Sequence, residues 1–422
     1  MKLTPRQLEV KEALLDYLDK PEGYQLLYGF AGTGKTVTIS YTLKEYVYSR
    51  GGKIAMTAPV NKAVKVLRDT IRVPGAEYAT IHSLLGLMPK VNDRTGEQEF
   101  VQDRTKGNNI RNYDAVVVDE SSMLNEELFT YLMESKVPII FVGDYKQLRP
   151  VGDENKVAAP FRRSNREQYN IVPHGLTDII RQDTASGIIP LSAYIRKGLY
   201  TPSVVNRFIK EYNDLGRIEM PEILDMYKQE DYRNNPDYCK VIAYTNRQVD
   251  EINTDIRNYI YDSPNQKIVP GERLVVNKPI VNGPVVLYTT NDELEVKSYS
   301  IAELPYKDKL FKVYRCDVGY GNEIDILHED SEDQYIATVH AYKQMALTTK
   351  QGRYWRYMYS FMERFADVGY SYAITCHKSQ GSTYENVVVC HRDFNICRDN
   401  EDRQSLWYVG VTRASKKVYF YG

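Results

Sequence analysis

The chain has 422 residues, with 55 Lys and Arg against 56 Asp and Glu, a formal net charge of −1. At about 150 residues per domain, that length holds two to four domains. The charge balance excludes a basic nucleic-acid coat or a polybasic membrane binder, so any nucleic-acid contact has to come from local grooves. With 42% hydrophobic residues the chain can bury real cores. No apolar run approaches the roughly 18 residues of a membrane span. The first residues alternate charged and apolar positions without a signal-peptide core. The five cysteines are scattered and form no C-x-x-C, as suits a reducing compartment. A cytoplasmic protein is expected. Cys390, His391 and Cys397 lie close in sequence, but a structural zinc site wants four spaced ligands, so core thiols are the expectation. The 36 tyrosines against 11 phenylalanines read as a compositional habit, each ring apolar with a polar tip.

The first third repeats apolar strand, turn and amphipathic helix. Tyr24–Tyr28 is expected as a buried strand and Thr36–Tyr48 as a helix. Lys53–Thr57 and Asn61–Asp69 repeat the pair, and Ala115–Val118 and Pro138–Val142 are two further strands. Short apolar strands separated by helices predict a parallel sheet covered on both faces. Between Leu87 and Asn112 the rhythm stops. Asn92-Asp93-Arg94-Thr95-Gly96 is a turn signal between short alternating segments, and a hairpin insertion is expected over about 87–112. A second α/β block starts near Gly175, with Val241–Tyr244 a strand and Asn246–Tyr259 a helix. Pro270–Gly369 changes texture, with short Val, Tyr and Leu runs and an acidic cluster at Glu323–Asp333, and predicts a mostly β insertion. The α/β pattern resumes with strands at Tyr370–Cys376, Val387–Cys390 and Val418–Tyr421. The expected domains are therefore 1–174, then 175–269 together with 370–422, with 270–369 inserted.

Gly29-Phe30-Ala31-Gly32-Thr33-Gly34-Lys35-Thr36 fits G-x-x-x-x-G-K-[ST] between a strand and a helix. Glycines let backbone N–H groups of this loop curl around phosphates, and the helix N-terminus adds positive potential. Lys35 would neutralise the β- and γ-phosphates, and Thr36 would place a hydroxyl on Mg²⁺. Val116-Val117-Val118-Asp119-Glu120 ends a hydrophobic strand in two acids. Asp119 would hold Mg²⁺ and Glu120 would orient and deprotonate the attacking water, which a small-molecule kinase does not need.

Further segments, in order, make the chain resemble the superfamily 1 DNA helicases of the RecD/Dda branch, superfamily 1B. Leu3-Thr4-Pro5-Arg6-Gln7 is similar to the Q motif, which implies that Gln7 reads the adenine edge. Thr57-Ala58-Pro59-Val60-Asn61-Lys62 and Ala79-Thr80-Ile81-His82-Ser83 resemble motifs Ia and Ib, so that Pro59, Asn61, Thr80 and His82 would face single-stranded DNA. Gly143-Asp144-Tyr145-Lys146-Gln147-Leu148-Arg149-Pro150 resembles motif III, with Gln147 a sensor of the γ-phosphate. Leu176–Gln182 resembles motif IV and Ala373–Ser382 motif V, the latter implying Thr375 and His377 on the strand and Gly381 at the nucleotide. Tyr408-Val409-Gly410-Val411-Thr412-Arg413-Ala414 resembles motif VI.

The implied fold is two RecA-like P-loop domains, with a strand-separating hairpin in the first and an SH3-like insertion in the second. Phe100 is the candidate wedge of the hairpin. Arg181 and Arg413 would supply positive charge across the cleft, an effect of roughly 10³–10⁵ in rate. The implied activity is an ATP- and Mg²⁺-dependent helicase moving 5′→3′ on single-stranded DNA and opening forks. It would act as a monomer beside a single-strand-binding or replication protein. An RNA or RNA/DNA helicase, and a nucleotide-gated clamp that does not unwind, are the alternatives. Short polar side chains such as Asn61, Thr80 and Thr375 suit phosphate contact without sequence readout; His82 could equally be a satisfied core histidine. Arg353-Tyr354-Trp355-Arg356-Tyr357-Met358-Tyr359 interleaves cations and rings as single-strand binders do, but its near-helical spacing favours a core stripe.

Overall fold

The computed structural model describes residues 2–102, 109–149, 157–178, 186–262, 264–282 and 285–422. They form two compact units. The first contains Met1–Leu87, Gln102–Val249 and Ile374–Gly422, and the second contains Met88–Val101 and Asp250–Ala373.

The first unit carries two RecA-like lobes, each on its own sheet. In the first lobe six parallel strands lie in the order Glu77–Thr80, Ile54–Ala58, Ala115–Val118, Ile139–Gly143, Tyr24–Gly29, Ile171–Leu176. Consecutive residues of these strands enter opposite cores. Leu27, Met56, Val117 and Ile140 join Val10, Leu14, Ile39, Leu43 and Leu67 of the helices on one face. Leu26, Ala55, Val116 and Phe141 join Ile81, Leu128, Phe129 and Leu132 on the other. Burial on both faces is why these strands read as unbroken apolar runs. The sixth strand, Ile171–Leu176, was not anticipated. Its sequence Ile-Val-Pro-His-Gly-Leu is broken by proline and glycine, and it sits at the sheet edge, where a missing N–H is tolerated. It runs across the boundary drawn at 174/175.

The second lobe has strands in the order Ala373–Thr375, Cys239–Ala243, Tyr384–Cys390, Ala414–Tyr421, Leu215–Ile218. Val387, Val389, Val418 and Phe420 pack with Leu191, Leu406 and Trp407. All five cysteines are free and buried, and Cys397 lies in this core, so the thiols pack as expected. Among the described residues no group of three His, Cys, Asp or Glu side chains could hold a metal by itself. No described helix is long and apolar enough to cross a membrane.

The second unit contains the expected β structure, with antiparallel strands Ser298–Tyr306, Lys309–Asp317 and Glu323–Leu327, and also two helices that the sequence reading did not separate, Glu332–Thr349 and Arg353–Met362. The acidic cluster that looked like β punctuation supplies Glu332 and Asp333 to the first turn of the longer helix, where carboxylates favour the helix dipole. Trp355, Met358 and Phe361 form a stripe buried with Phe311, Val313 and Tyr342, so the cation–aromatic segment is a core stripe. The insertion hairpin, Leu87–Val91 with Gln98–Gln102, pairs as a two-stranded sheet. Its turn lies on the shorter helix. Arg356 Nη1 is 3.1 Å from Asp93 Oδ1, Tyr359 donates to the Gly96 carbonyl at 2.9 Å, and a Cβ on Gly96 would meet the Trp355 indole at 2.5 Å. Tyr370–Cys376, expected as one strand, changes sheets midway. Val368–Tyr370 pairs antiparallel with Arg273–Val276, and Ala373–Thr375 joins the second lobe.

One buried ion pair anchors the second unit. Arg257, 7% exposed at its side chain, donates to Glu272, 0% exposed, at 2.9 Å. Tyr372 also donates to Glu272 at 3.1 Å. Burial holds the Glu272 carboxyl above its ordinary range despite Arg257. Arg257→Met should cost about 3–5 kcal/mol, because it leaves a buried carboxylate without its counter-charge. The folded-state pKa of Glu272 then rises further above the unfolded value. Stability from such a group is present at low pH and lost as pH rises through the folded pKa. Thermal denaturation should therefore show a larger deficit at pH 8 than at pH 5, and an equal deficit at both would refute this account.

Candidate nucleotide site and nucleic-acid face

The strand Tyr24–Gly29 lies inside the first sheet and delivers the loop 29–36 to its carboxyl edge. Gly32 and Gly34 both have φ +81°, a left-handed conformation that needs glycine. A Cβ on Gly29 would meet Leu176 O and Thr33 Oγ1 at 2.6 Å each. Thr33 closes the loop, its N–H and hydroxyl both donating to the Phe30 carbonyl. Gly34 caps the helix Lys35–Arg50 without a side-chain hydrogen bond, which leaves the helix N-terminus to a ligand. Lys35 Nζ donates to the carbonyls of Gly29 at 2.7 Å and Phe30 at 3.1 Å, so the ammonium already lies over the loop that phosphates would enter.

Asp119 and Glu120 follow the strand Ala115–Val118, and the Asp119 N–H is fixed to the Thr57 carbonyl at 2.8 Å. Glu120 has φ +48°, a strained conformation for a non-glycine residue that costs of order 1–3 kcal/mol and clusters at functional sites. Both carboxyls sit in a recess and are held above their usual range, first by burial. For Glu120 the Asp119 charge adds to the rise, while Arg413 and Lys35 oppose it. Arg413 is thus within electrostatic reach of Glu120, although the two residues belong to different lobes. The Arg413 side chain is buried and donates to the Ser382 carbonyl at 3.1 Å and the Val409 carbonyl at 3.3 Å. Gln147 follows Asp144, and its side-chain carbonyl is buried without a hydrogen-bond partner. An orphaned buried acceptor suits a residue that engages a bound water or ligand.

The lobes meet along motif III. Leu148, 2% exposed, is buried in the core of the second lobe. Gln380 Nε2 donates to its carbonyl at 3.0 Å, and Arg149 pairs with Asp402 at 2.7 Å. Tyr408 donates to Asp144 Oδ2 at 2.6 Å and accepts from the Ala31 N–H at 2.8 Å. Arg196 stands over the Phe30 ring at 3.5 Å. Of these contacts, the parts played by Asp144, Arg196, Asp402 and Tyr408 were missed from sequence. They pair residues far apart in the chain, and no local pattern marks them.

Other candidates fall as follows. Gln7 is buried and occupied by the protein. Its Oε1 accepts from the Thr4 N–H at 3.0 Å in a capping box, and its Nε2 donates to the Thr33 carbonyl at 3.3 Å. It therefore braces the phosphate loop. Gly381, φ +74°, faces Ala63, which a Cβ would meet at 3.4 Å. Pro59, Thr80 and Thr375 lie at or just beyond the carboxyl ends of parallel strands, the edge where such sheets bind ligands. Asn61 opens the exposed helix start there. The Thr80 oxygen accepts from the Ser83 N–H at 3.2 Å and the Thr375 oxygen from the Lys378 N–H at 3.3 Å, so each hydroxyl proton remains to be donated. Burial lowers the pKa of His82 and His377, making both neutral hydrogen-bonding groups at pH 7. Phe100, 41% exposed, lies on the hairpin strand in the second unit. Arg181 lies outside the described residues.

Residues 2–222 match the AAA domain family, and residues 370–421 match the UvrD-like helicase C-terminal domain. The ATP-dependent DNA helicase dda of Enterobacteria phage T4 is 26% identical over 457 residues, with 99% of both chains covered. The uncharacterized protein R530 of Acanthamoeba polyphaga mimivirus is 25% identical over 497 residues, again with 99% of both covered. The crystal structure of the Pif1 helicase from Candida albicans shares the fold, with a TM-score of 0.56 at 15% identity over 100% of this chain and 94% of that one. The chain belongs to the AAA domain family and is a superfamily 1B helicase of the RecD/Dda type.

Proposed function

We propose that the chain couples ATP hydrolysis between its two lobes to 5′→3′ movement on single-stranded DNA and to unwinding of forked duplex. The observation that carries the reading is the docking of the second lobe's helix Asn400–Thr412, which Arg413 caps, onto the phosphate loop and motif III of the first lobe through the Tyr408 hydroxyl. Hydrolysis needs water activation by Glu120 and positive charge from Arg413, and those requirements are met together only when the lobes are apposed. Lys35 and the loop amides bind the phosphates. Gln147 senses the γ-phosphate, and Arg181 supplies a second positive charge to the transition state. Thr36 and Asp119 are hard oxygen donors suited to Mg²⁺, with phosphates and water completing its shell. When bound, that ion would neutralise charge on the β- and γ-phosphates. Asn61, Thr80, His82, Thr375 and His377 hold the phosphates of the strand by neutral hydrogen bonds, and Pro59 packs against it.

The chemistry has a direct test. Lys35→Ala should abolish DNA-stimulated ATP hydrolysis, and Glu120→Gln should bind ATP without turning it over. Arg413→Ala should lower kcat by more than about 10²-fold while leaving nucleotide-free DNA affinity nearly unchanged. Collapse of DNA binding with kcat preserved would move Arg413 from the phosphate to the strand.

Direction rests on motif detail. Thr57-Ala58-Pro59 lacks the aromatic residue that the opposite-polarity branch carries after the first threonine, and Gly143-Asp144-Tyr145-Lys146-Gln147 lacks that branch's acidic run. Duplex with a 5′ single-stranded tail should be unwound. Unwinding from a 3′ tail alone would reverse the polarity and leave the ATPase reading intact.

The hairpin is the proposed strand separator, with Phe100 as its wedge and the helix Arg353–Met362 as its brace. Phe100→Ala and Arg356→Glu should each slow duplex unwinding several-fold and spare single-strand-stimulated hydrolysis. Arg356 and Asp93 are mostly exposed, so the charge reversal loosens the brace without threatening the core. Equal loss of both activities would assign the hairpin to folding.

A further inference from the structure

Tyr408 is almost fully buried, at 1% exposure, and its hydroxyl makes two bonds that lie outside its own lobe. It accepts from the Ala31 N–H of the phosphate loop at 2.8 Å and donates to the Asp144 carboxylate at 2.6 Å. Asp144 is 0% exposed, and its other oxygen accepts from the Lys146 N–H at 3.0 Å. Burial, reinforced by the Asp144 charge, pushes the Tyr408 hydroxyl far above its ordinary range, so it stays a protonated donor. A hydrogen bond from hydroxyl to carboxylate is short and strong, and it polarises the amide bond upstream of it.

Three functional segments therefore share one hydroxyl. Ala31 belongs to the loop whose amides are expected to cradle phosphates. Asp144 heads the segment that carries Gln147, whose N–H donates to the Asp144 carbonyl at 3.1 Å. Tyr408 lies on the helix Asn400–Thr412, whose C-terminal cap is Arg413. The Thr412 hydroxyl donates to the Tyr408 carbonyl at 2.8 Å, so the end of this helix follows Tyr408. The other charge facing the ring is Arg196, at 5.8 Å from its centroid.

An amide N–H has one proton. Ala31 cannot fully serve both Tyr408 and a phosphate oxygen. We propose that Tyr408 is a positioning residue that acts as a nucleotide-exchangeable latch. Its hydroxyl occupies a phosphate-loop amide while the site is free of phosphate, and yields that amide when phosphate binds. The bond to Asp144 remains, so the helix that carries Arg413 stays docked on motif III when the amide is yielded. The latch makes DNA-free turnover slow and gives bound DNA a step to accelerate. It rests on the reading of residues 29–36 as the nucleotide site.

Tyr408→Phe keeps the ring in the core and deletes the hydroxyl. Without DNA, affinity for an ADP carrying a fluorescent methylanthraniloyl group should rise about 5–10-fold, the worth of one competing hydrogen bond. DNA-free ATP turnover should rise, and its ratio to DNA-stimulated turnover should rise with it. Asp144→Asn, which keeps the acceptor but removes its charge, should give a smaller change in the same direction. The double variant should match Tyr408→Phe, because the carboxylate acts through the hydroxyl. A lower Tm with ADP affinity and the turnover ratio unchanged would reduce Tyr408 to a packing residue and overturn the latch. Should Tyr408→Phe fail to fold, Asp144→Asn decides by the same two readouts. Lys35→Ala separates the two layers of the argument. Loss of turnover there, with Tyr408→Phe behaving as wild type, overturns the latch alone. Turnover surviving Lys35→Ala overturns the nucleotide site beneath it.

Discussion

Two adjacent acids, Asp119 and Glu120, are desolvated by burial at the end of one strand of the first lobe, and the site around them depends on that constraint. Burial raises the pKa of both Asp119 and Glu120, and Arg413 from the next lobe and Lys35 from their own oppose the rise on Glu120. A like-charged pair in a poorly solvated recess is expensive. Cations drawn to it, from the chain or with a nucleotide, recover that cost. In the proposed reading, the electrostatic demand of phosphoryl transfer and the demand for a closed interface are therefore one demand.

The seam that brings Arg413 there is built unlike a domain core. Leu148 supplies an apolar plug that reaches into the neighbouring core. Around it lie a partly exposed ion pair, Arg149 with Asp402, and single hydrogen bonds from Gln380 and Tyr408. Ion pairs of this exposure contribute little, on the order of 0–1 kcal/mol. That ion pair can be exchanged at small cost, whereas the buried Tyr408–Asp144 bond and the strands on either side cannot.

The second unit solves a different mechanical problem. A two-stranded hairpin is marginal alone. Here its turn is seated on a helix by an indole against Gly96, a tyrosine hydroxyl on the Gly96 carbonyl and an arginine on Asp93. That seating stiffens an element that would have to bear load if it parts strands. It also explains why a run of cations and rings sits in a helix with Trp355 buried: Trp355, Met358 and Phe361 pack in the core, while Arg356 and Tyr359 hold the turn.

Much of this was legible in the sequence, and the legible part has a common character. The phosphate loop, the acids at a strand end and the alternating apolar strands are local patterns, because φ angles, helix starts and two-faced burial are imposed within a few residues. Gly32, Gly34, Asp119 and Glu120 could be assigned for that reason. The edge strand Ile171–Leu176 escaped, since a strand with one neighbour tolerates proline and glycine. The sheet change within Tyr370–Cys376 escaped too, because a continuous apolar run does not reveal which sheet each half joins. The contact of Gln7 with Thr33 escaped as well, because it joins two separate segments, whereas the Thr4 contact is a local helix cap. Tyr408 with Ala31 and Asp144 is the extreme case. Each is ordinary in its own motif, and only the folded chain brings one hydroxyl, one amide and one carboxylate together. The sequence alone determined the chemistry that each lobe can perform, because that chemistry is written in short-range backbone geometry. The tertiary structure decided how the lobes depend on each other, because hydrogen bonds across a seam depend on three-dimensional distance and leave no period or spacing in the chain.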